Sequence, residues 1–182
     1  NFKYAGGLSA KGIAKWNGTA WSTIGAGVTG ATTWGNEWYS VNTITQVGSD
    51  IYIGGYFISV DGVSANNIAK WNGTSWSSLE IGAQNGVDST VNTLLLVGTD
   101  LYVGGDFSHA GGLAANGLAK WNGSSWSVPE GLGSGVKDGI YSLVLSGSDV
   151  YVGGDYLEVD GKLSRSFARY STSLGAASSS TG

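Results

Sequence analysis

Eight tryptophans, nine tyrosines and a single histidine are the side chains of this 182-residue protein with most to offer a ligand. Most of the tryptophans recur at regular intervals, but one cluster breaks the pattern: Trp34-Gly35-Asn36-Glu37-Trp38-Tyr39. Aromatic rings take the C–H faces of a sugar, and an amide beside a carboxylate takes its hydroxyls, so this stretch has the composition of a carbohydrate site. Tyr56 and His109 fall in loops expected on the same rim. The candidate binding set is therefore Trp34, Asn36, Glu37, Trp38, Tyr39, Tyr56 and His109. The same aromatics would also serve to cap a junction between repeats or to meet another protein.

Catalysis finds less support. Glycoside cleavage needs two carboxylates flanking the scissile bond. The acids outside recurrent positions are Glu37, Glu80, Asp88, Glu130, Asp138 and Glu158, and no local spacing pairs them. A sialidase-like site wants a cluster of three arginines, and the chain has only Arg165 and Arg169. The absence of cysteine removes thiol nucleophiles, Cys-ligated zinc and disulfides. With one histidine there is no visible nucleophile and base pairing, so no catalytic residue is assigned. Asp50, Asp100 and Asp149 share one turn position, where an aspartate is expected to bond its own backbone. Calcium would need about six to eight oxygens gathered in one place. Asp106 and Asp155 each follow a glycine pair and are read as structural hydrogen-bonding groups. Neither a metal nor a cofactor is predicted.

The elements that would position these residues come from a repeat. Ile13-Ala14-Lys15-Trp16 returns as Ile68-Ala69-Lys70-Trp71, Leu118-Ala119-Lys120-Trp121 and the altered Phe167-Ala168-Arg169-Tyr170. The intervals from Trp16 to Trp71, Trp121 and Tyr170 are 55, 50 and 49 residues. That is too long for a solenoid coil and about right for a four-stranded propeller blade. Within the second repeat, the alternation over 41–47 predicts a first strand, Gly48-Ser49-Asp50 a turn, and Ile51-Tyr52-Ile53 a second strand closed by Gly54-Gly55. A loop to Asn67 leads to a third strand over 68–71, and a fourth carries Ser75-Trp76-Ser77.

Asn-Gly at 17–18, 72–73 and 122–123 predicts type I′ hairpin turns. These turns also satisfy the glycosylation sequon, which the turn requirement alone explains. The glycine pairs at 54–55, 104–105 and 153–154 lack the following helix that a phosphate cradle would need. Six tryptophans, at 16, 21, 71, 76, 121 and 126, are expected to pack between sheets.

A lone meander of about 50 residues must order its backbone at roughly 75 kcal/mol, so each sheet must bury its faces against neighbours. The predicted organisation is a partial blade over 1–40, whole blades over 41–90 and 91–139, a partial blade over 140–174, and a flexible tail over 175–182. The count is about thirteen strands, with the fourth repeat stopping after its third strand. The expectation is a piece of a longer propeller, one of several copies that close a ring, or blades that stay open. From Trp21 to Val41 there are 20 residues against 15 from Trp76 to Val91, and the surplus holds the aromatic cluster. In an up-and-down blade that connection emerges beside the loops carrying Tyr56 and His109.

Composition limits the partners. Glycine at 32 of 182 residues favours tight β turns over helices. A net charge of −4 with nine Lys and Arg leaves no basic stripe for phosphates, so neither nucleic acid nor an anionic membrane is an expected partner. No apolar run reaches the length of a membrane span.

Leu101-Tyr102-Val103-Gly104-Gly105, followed by Trp121 and Trp126, resembles the kelch-type propeller blade: an apolar strand ending in a double glycine, then an aromatic pair. The pattern stands again at Ile51 to Gly55 with Trp71 and Trp76, and at Val150 to Gly154 with Tyr170. Repeats with Ala-Lys-Trp-Asn-Gly are similar to those of large secreted and cell-surface bacterial proteins. The resemblance implies an all-β propeller of four-stranded antiparallel meander blades, with about three to four blades' worth of strands here. A kelch-type copper oxidase site needs several His and Tyr ligands and a Cys cross-link, which one histidine and no cysteine cannot supply. The expected function is a non-catalytic extracellular or cell-surface module for protein interaction or scaffolding. The rival readings are glycan binding through 34–39, and a subunit that completes a ring or fibre by sharing strands with further copies or with the rest of a propeller.

Overall fold

Alternating β-branched and polar residues write most of this chain as extended backbone, and glycines end each run. The computed structural model describes residues 2–33, 36–129, 139–155, 158–159, 162–172 and 176–178. The first repeat contributes β1 (Tyr4–Ala5), β2 (Leu8–Ser9), β3 (Ala14–Trp16), β4 (Trp21–Thr23), β5 (Val28–Thr29), β6 (Ala31–Thr33) and β7 (Asn36–Trp38). The second runs through β8 (Ser40–Val47), β9 (Asp50–Tyr56), β10 (Ser59–Val60), β11 (Val63–Ser64), β12 (Ile68–Trp71), β13 (Trp76–Ser78), β14 (Glu80–Ile81) and β15 (Gln84–Asn85). The third holds β16 (Val91–Val97), β17 (Asp100–Gly105), β18 (His109–Ala110), β19 (Leu113–Ala114), β20 (Leu118–Trp121) and β21 (Trp126–Ser127). The fourth holds β22 (Ile140–Ser146), β23 (Asp149–Gly154), β24 (Glu158–Val159), β25 (Lys162–Leu163), β26 (Phe167–Ser171) and β27 (Ala176–Ser178). No helix occurs among the described residues.

The chain is all-β and antiparallel. Three four-stranded meanders run β8-β9-β12-β13, β16-β17-β20-β21 and β22-β23-β26-β27, and in the first repeat the described residues form the corresponding pair β3-β4. Here the structure departs from the expected thirteen strands in two ways. The fourth repeat does not stop after its third strand, because Ala176–Ser178, within the expected tail, pairs with β26. The loops between second and third strands also fold back on themselves, as the hairpins β1–β2, β10–β11, β18–β19 and β24–β25.

Turn chemistry sits elsewhere than expected. Both Asp61 and Gly62, between β10 and β11, have positive φ, at 50° and 80°, as a two-residue type I′ turn requires. The Asn-Gly hairpins are four-residue loops instead, since Trp71 pairs with Trp76 and the Asn72 N–H donates to Ser75 O at 3.2 Å. Asn72 Oδ1 holds that loop by accepting from the Thr74 N–H, the Ser75 N–H and the Thr74 hydroxyl, each at 2.9 Å. Asn17 and Asn122 do the same.

Packing is divided between successive repeats. Ile13, Val28, Ile53, Phe57, Val60 and Trp76 form a core between the first and second repeats. Tyr52, Ile68, Leu94, Phe107, Trp121 and Trp126 fill the next, and Tyr102, Leu118, Leu143, Val150 and Tyr170 the last. Each buried aliphatic or aromatic side chain contributes about 1.5–3 kcal/mol. Strand β16 packs against both β8 and β22, so the sheets meet along their first strands.

The glycine pair explains how they come so close. A Cβ on Gly104 would lie 2.7 Å from Ile140 Cγ2 of the next repeat, and one on Gly54 would collide with Val91 Cγ1. The second glycine faces its own sheet: a Cβ there would strike the carbonyl oxygen of Ser40, Thr90 or Gly139. Those carbonyls sit beside bulges in the first strands, at Val41/Thr43, Val91/Thr93 and Ile140/Ser142. Two of the bulge residues, Asn42 and Asn92, reach across and donate to Val91 O and Ile140 O, each at 3.0 Å. Trp76 and Trp126 bind the preceding repeat, donating from Nε1 to Ile24 O at 3.4 Å and Leu79 O at 3.2 Å.

Trp76, Trp121 and Trp126 are buried as expected, but Trp16 and Trp21 remain 50% and 43% exposed. Among the described residues, no strand of a preceding repeat covers them.

Candidate functional site

The connection from the first to the second repeat begins with β5, which pairs with β10 through Thr29↔Ser59 and Val28↔Val60. Val87 bridges to Ala110 in the same way one repeat later. These pairings place the connections between repeats beside the hairpins that join second and third strands. The aromatic insertion then folds as the hairpin β6–β7.

Its members separate. Trp34 lies outside the described residues, and Asn36 and Glu37 are described only as backbone in β7. Trp38 is 61% exposed. Tyr39 is not on the rim: it is buried in the core between the first two repeats, with Ile13, Val28 and Phe57. Two residues after Trp38, Ser40 pairs with Tyr56, which is also exposed. His109 belongs to the next repeat, in β18. It lines a groove of about 460 Å³ with Asn66, Gln84, Asn85 and Asp88, into which neither Trp38 nor Tyr56 projects.

Around His109 the structure assembles a cluster that spacing alone does not reveal. Asp88 Oδ1 accepts from the backbone N–H groups of Ser108 at 2.8 Å and His109 at 2.9 Å. Its Oδ2 accepts from the Ser108 hydroxyl at 2.7 Å and lies 3.0 Å from His109 Nδ1. Partial burial pushes the Asp88 carboxyl up, but the hydrogen bonds from His109 and Ser108 outweigh it and hold the group below the usual carboxylate range.

Serine, histidine and aspartate in contact invite comparison with a nucleophile relay. In such a relay the imidazole stands between hydroxyl and acid, using one ring nitrogen for each. Here one ring nitrogen faces both groups: His109 Nδ1 lies 3.1 Å from the Ser108 hydroxyl and 3.0 Å from Asp88 Oδ2, the same oxygen to which the hydroxyl donates. The arrangement orders the start of the β18–β19 hairpin. Glu130 and Asp138 lie outside the described residues, and Glu158 is described only as backbone. Glu80 accepts from the Ser78 hydroxyl at 3.0 Å.

The recurrent aspartates do not bond their own turns. Asp50 pairs with Lys70 at 3.3 Å, Asp100 with Lys120 at 2.9 Å and Asp149 with Arg169 at 3.5 Å. Each pair joins the second strand to the basic residue of the recurring phrase on the third. Asp106 accepts from Asn92 Nδ2 at 3.1 Å. Among the described residues no three His, Asp or Glu side chains gather as a metal site would require.

The tyrosine of the second strand meets the aromatic of the next repeat's phrase. Tyr52 and Trp121 share the core between the second and third repeats, and desolvation raises the Tyr52 hydroxyl pKa. Desolvation, with Tyr170 and Asp100 nearby, pushes Tyr102 up to about 12.

No protein-family model matches the chain, and no curated protein sequence matches it.

Proposed function

We propose that the chain is a non-catalytic module, a segment of a β-propeller with kelch-like blades, that serves outside the cell or at its surface as a scaffold for protein interaction. The observation that carries the reading is where the recurrent polar groups go. Asn42, Asn92, Trp76 and Trp126 reach from one repeat to another, and Lys70, Lys120 and Arg169 tie neighbouring strands. Radial stacking is supported by the sheets meeting along their first strands, β8 to β16 to β22. The acid and base chemistry that exists, at Asp88, Ser108 and His109, is directed to holding a loop. A panel of ester and glycoside substrates tests the non-catalytic part, with Asp88→Ala beside the wild type. No turnover is expected from either, and turnover that disappears with Asp88→Ala refutes it. Two-dimensional averages of single particles test the radial part, since a linear stack of sheets would refute it.

Exposed Trp38 and Tyr56, at one end of the second repeat, favour carbohydrate as a second reading. A glycan array on the wild type and on Trp34→Ala with Trp38→Ala separates the two. Equal profiles would remove this reading.

A further inference from the structure

We propose that the groove between the second and third repeats, walled by β15 and by the start of β18, binds a neutral polyhydroxylated ligand such as a sugar unit. The corresponding place between the first and second repeats is closed, and comparing the two shows what opens the groove. Shared bonds put the junctions in register. The indoles of Trp76 and Trp126 donate to Ile24 O and Leu79 O, and the N–H groups of Asp61 and Gly111 donate to Gly27 O and Gly86 O at 2.9 and 2.8 Å.

At the first junction Asp61 reaches back from the β10–β11 turn. Its Oδ1 accepts from the Ala26 N–H at 2.7 Å, and its carboxyl group covers Gly25, where a Cβ would stand 2.5 Å from Asp61 Cγ. At the second junction Gly111 occupies the position of Asp61 and brings no side chain. The connection is longer as well: Val28 follows Ile24 by four residues, whereas Val87 follows Leu79 by eight. The added length folds as the hairpin β14–β15, whose second strand stands beside the vacated place. The result is a groove of about 460 Å³, within the range of roughly 300–1,000 Å³ for small-molecule sites.

The polar groups that line it are held in place and only partly spent. Asp88 fixes His109 through the backbone N–H and Nδ1. The ionised carboxylate draws the imidazole proton to Nδ1, so in the neutral ring Nε2 keeps a lone pair for a ligand. Asn66 donates from Nδ2 to Asn85 O at 3.2 Å, which leaves Oδ1 as an acceptor among the described residues. The Gln84 side chain lies across the turn, with Cγ 3.0 Å from where a Gly112 Cβ would stand. Its amide makes no hydrogen bond among the described residues, so it offers both a donor and an acceptor.

Charge and polarity select the ligand class. No Lys or Arg lines the groove and Asp88 does, which disfavours phosphates, sulfates and carboxylates. A cation would meet a single carboxylate whose oxygens already face four hydrogen-bonding groups. Ala83 and Val87 supply too little apolar wall for a hydrophobic ligand. Hydroxyl groups fit, because each both donates and accepts: a diol gives to His109 Nε2 and Asn66 Oδ1 and takes from the Gln84 amide.

The site is separate from Trp38 and Tyr56, so neither turnover in the substrate panel nor equal glycan profiles for the Trp34 and Trp38 variants would touch it. Its test is a titration of the isotope-labelled protein, followed by nuclear magnetic resonance, with free glucose, N-acetylglucosamine, myo-inositol and glucuronate. A glycan array presents the same chemistry within a chain and tells a free sugar from a glycan. A neutral probe, free or as the glycan the array selects, is expected to shift the side-chain amide signals of Gln84 and Asn66 and the N–H signals of Gly111 and Gly112. Glucuronate is expected to bind more weakly. Gln84→Ala removes a side chain that makes no hydrogen bond in the described fold, and should weaken binding about three- to tenfold with the melting temperature unchanged. His109→Ala should weaken it by a similar factor. Absence of those shifts with every neutral probe, tighter binding of glucuronate, shifts centred on Trp38 and Tyr56 instead, or undiminished binding by both variants overturns the proposal.

Discussion

Alanine at Gly104 and at Gly153 should move stability in opposite directions, although the two glycines occupy the same position in successive repeats. Neither has positive φ, so alanine is free of backbone strain at both. It should gain about 0.4–1 kcal/mol at each by restricting the unfolded chain. The difference lies in what the new methyl meets. At Gly104 it would stand 2.7 Å from Ile140 Cγ2, 2.8 Å from Thr93 Cγ2 and 3.3 Å from Leu143 Cδ1, all within packed structure. Overpacking of this kind costs about 1–3 kcal/mol, so the net loss reaches about 2.6 kcal/mol. At Gly153 the nearest neighbour is Ser142 Cβ at 3.8 Å, an ordinary contact, and the backbone gain should survive. For a protein of this size, at about 2–4 °C per kcal/mol, the expected melting shifts are a fall of up to about 10 °C for Gly104→Ala and a rise of about 1–4 °C for Gly153→Ala. Gly154→Ala is the internal control, because its methyl would strike the Gly139 carbonyl oxygen within the same sheet. Urea and thermal melts followed by circular dichroism give all three values. Equal losses at Gly104 and Gly153 would refute the argument that the first glycine of each pair serves the neighbouring repeat.

Asn92→Ala removes two hydrogen bonds, to Ile140 O and Asp106 Oδ1, while Asn42→Ala removes one, to Val91 O. Denaturant titration should place the first loss at about 1–2 kcal/mol and the second nearer about 1 kcal/mol; a reversed order would count against the bulge asparagine as a tie between repeats. Alkaline stability follows from Tyr102, whose folded pKa of about 12 exceeds the ordinary value of 10.0. Between these values the unfolded chain releases a proton that the folded chain keeps. Its contribution is thus fully present below about pH 10 and falls by about 1.4 kcal/mol per unit above it. Tyr102→Phe should flatten that decline in melts between pH 10 and 12, and an unaltered slope would show that other groups cause it.

Residue type and period carried the meanders but could not carry their contacts. The alternation over 41–47 and the apolar run at 51–53 sufficed for β8 and β9, because strand existence is a local property. The ion pairs are not local. Asp50 meets Lys70 only because Lys70 lies opposite Tyr52, which shares a strand face with Asp50. A signal existed: the acid and the base stand twenty residues apart in all three repeats. The Asp61-Gly62 turn was legible too, flanked as it is by alternating residues, but Asn-Gly drew the type I′ expectation instead. Tyr39 and the Asp88 cluster were not legible. A tyrosine after an exposed tryptophan gives no hint of its burial, and the Asp88 contacts depend on Val87 bridging to Ala110.

Regularity therefore has a particular meaning in this chain. The side chains that recur make contacts between strands or between repeats, so a recurrent residue without its usual partner is more informative than one that departs from the pattern. Phe167 illustrates this at one face of the stack: it is exposed where Ile13, Ile68 and Leu118 are buried against the following repeat. Ile44 illustrates it at the other, exposed where its counterparts Leu94 and Leu143 are buried. Burial of Ile44 alone offers a partner about 1.5–3 kcal/mol, and it would act on any apolar surface.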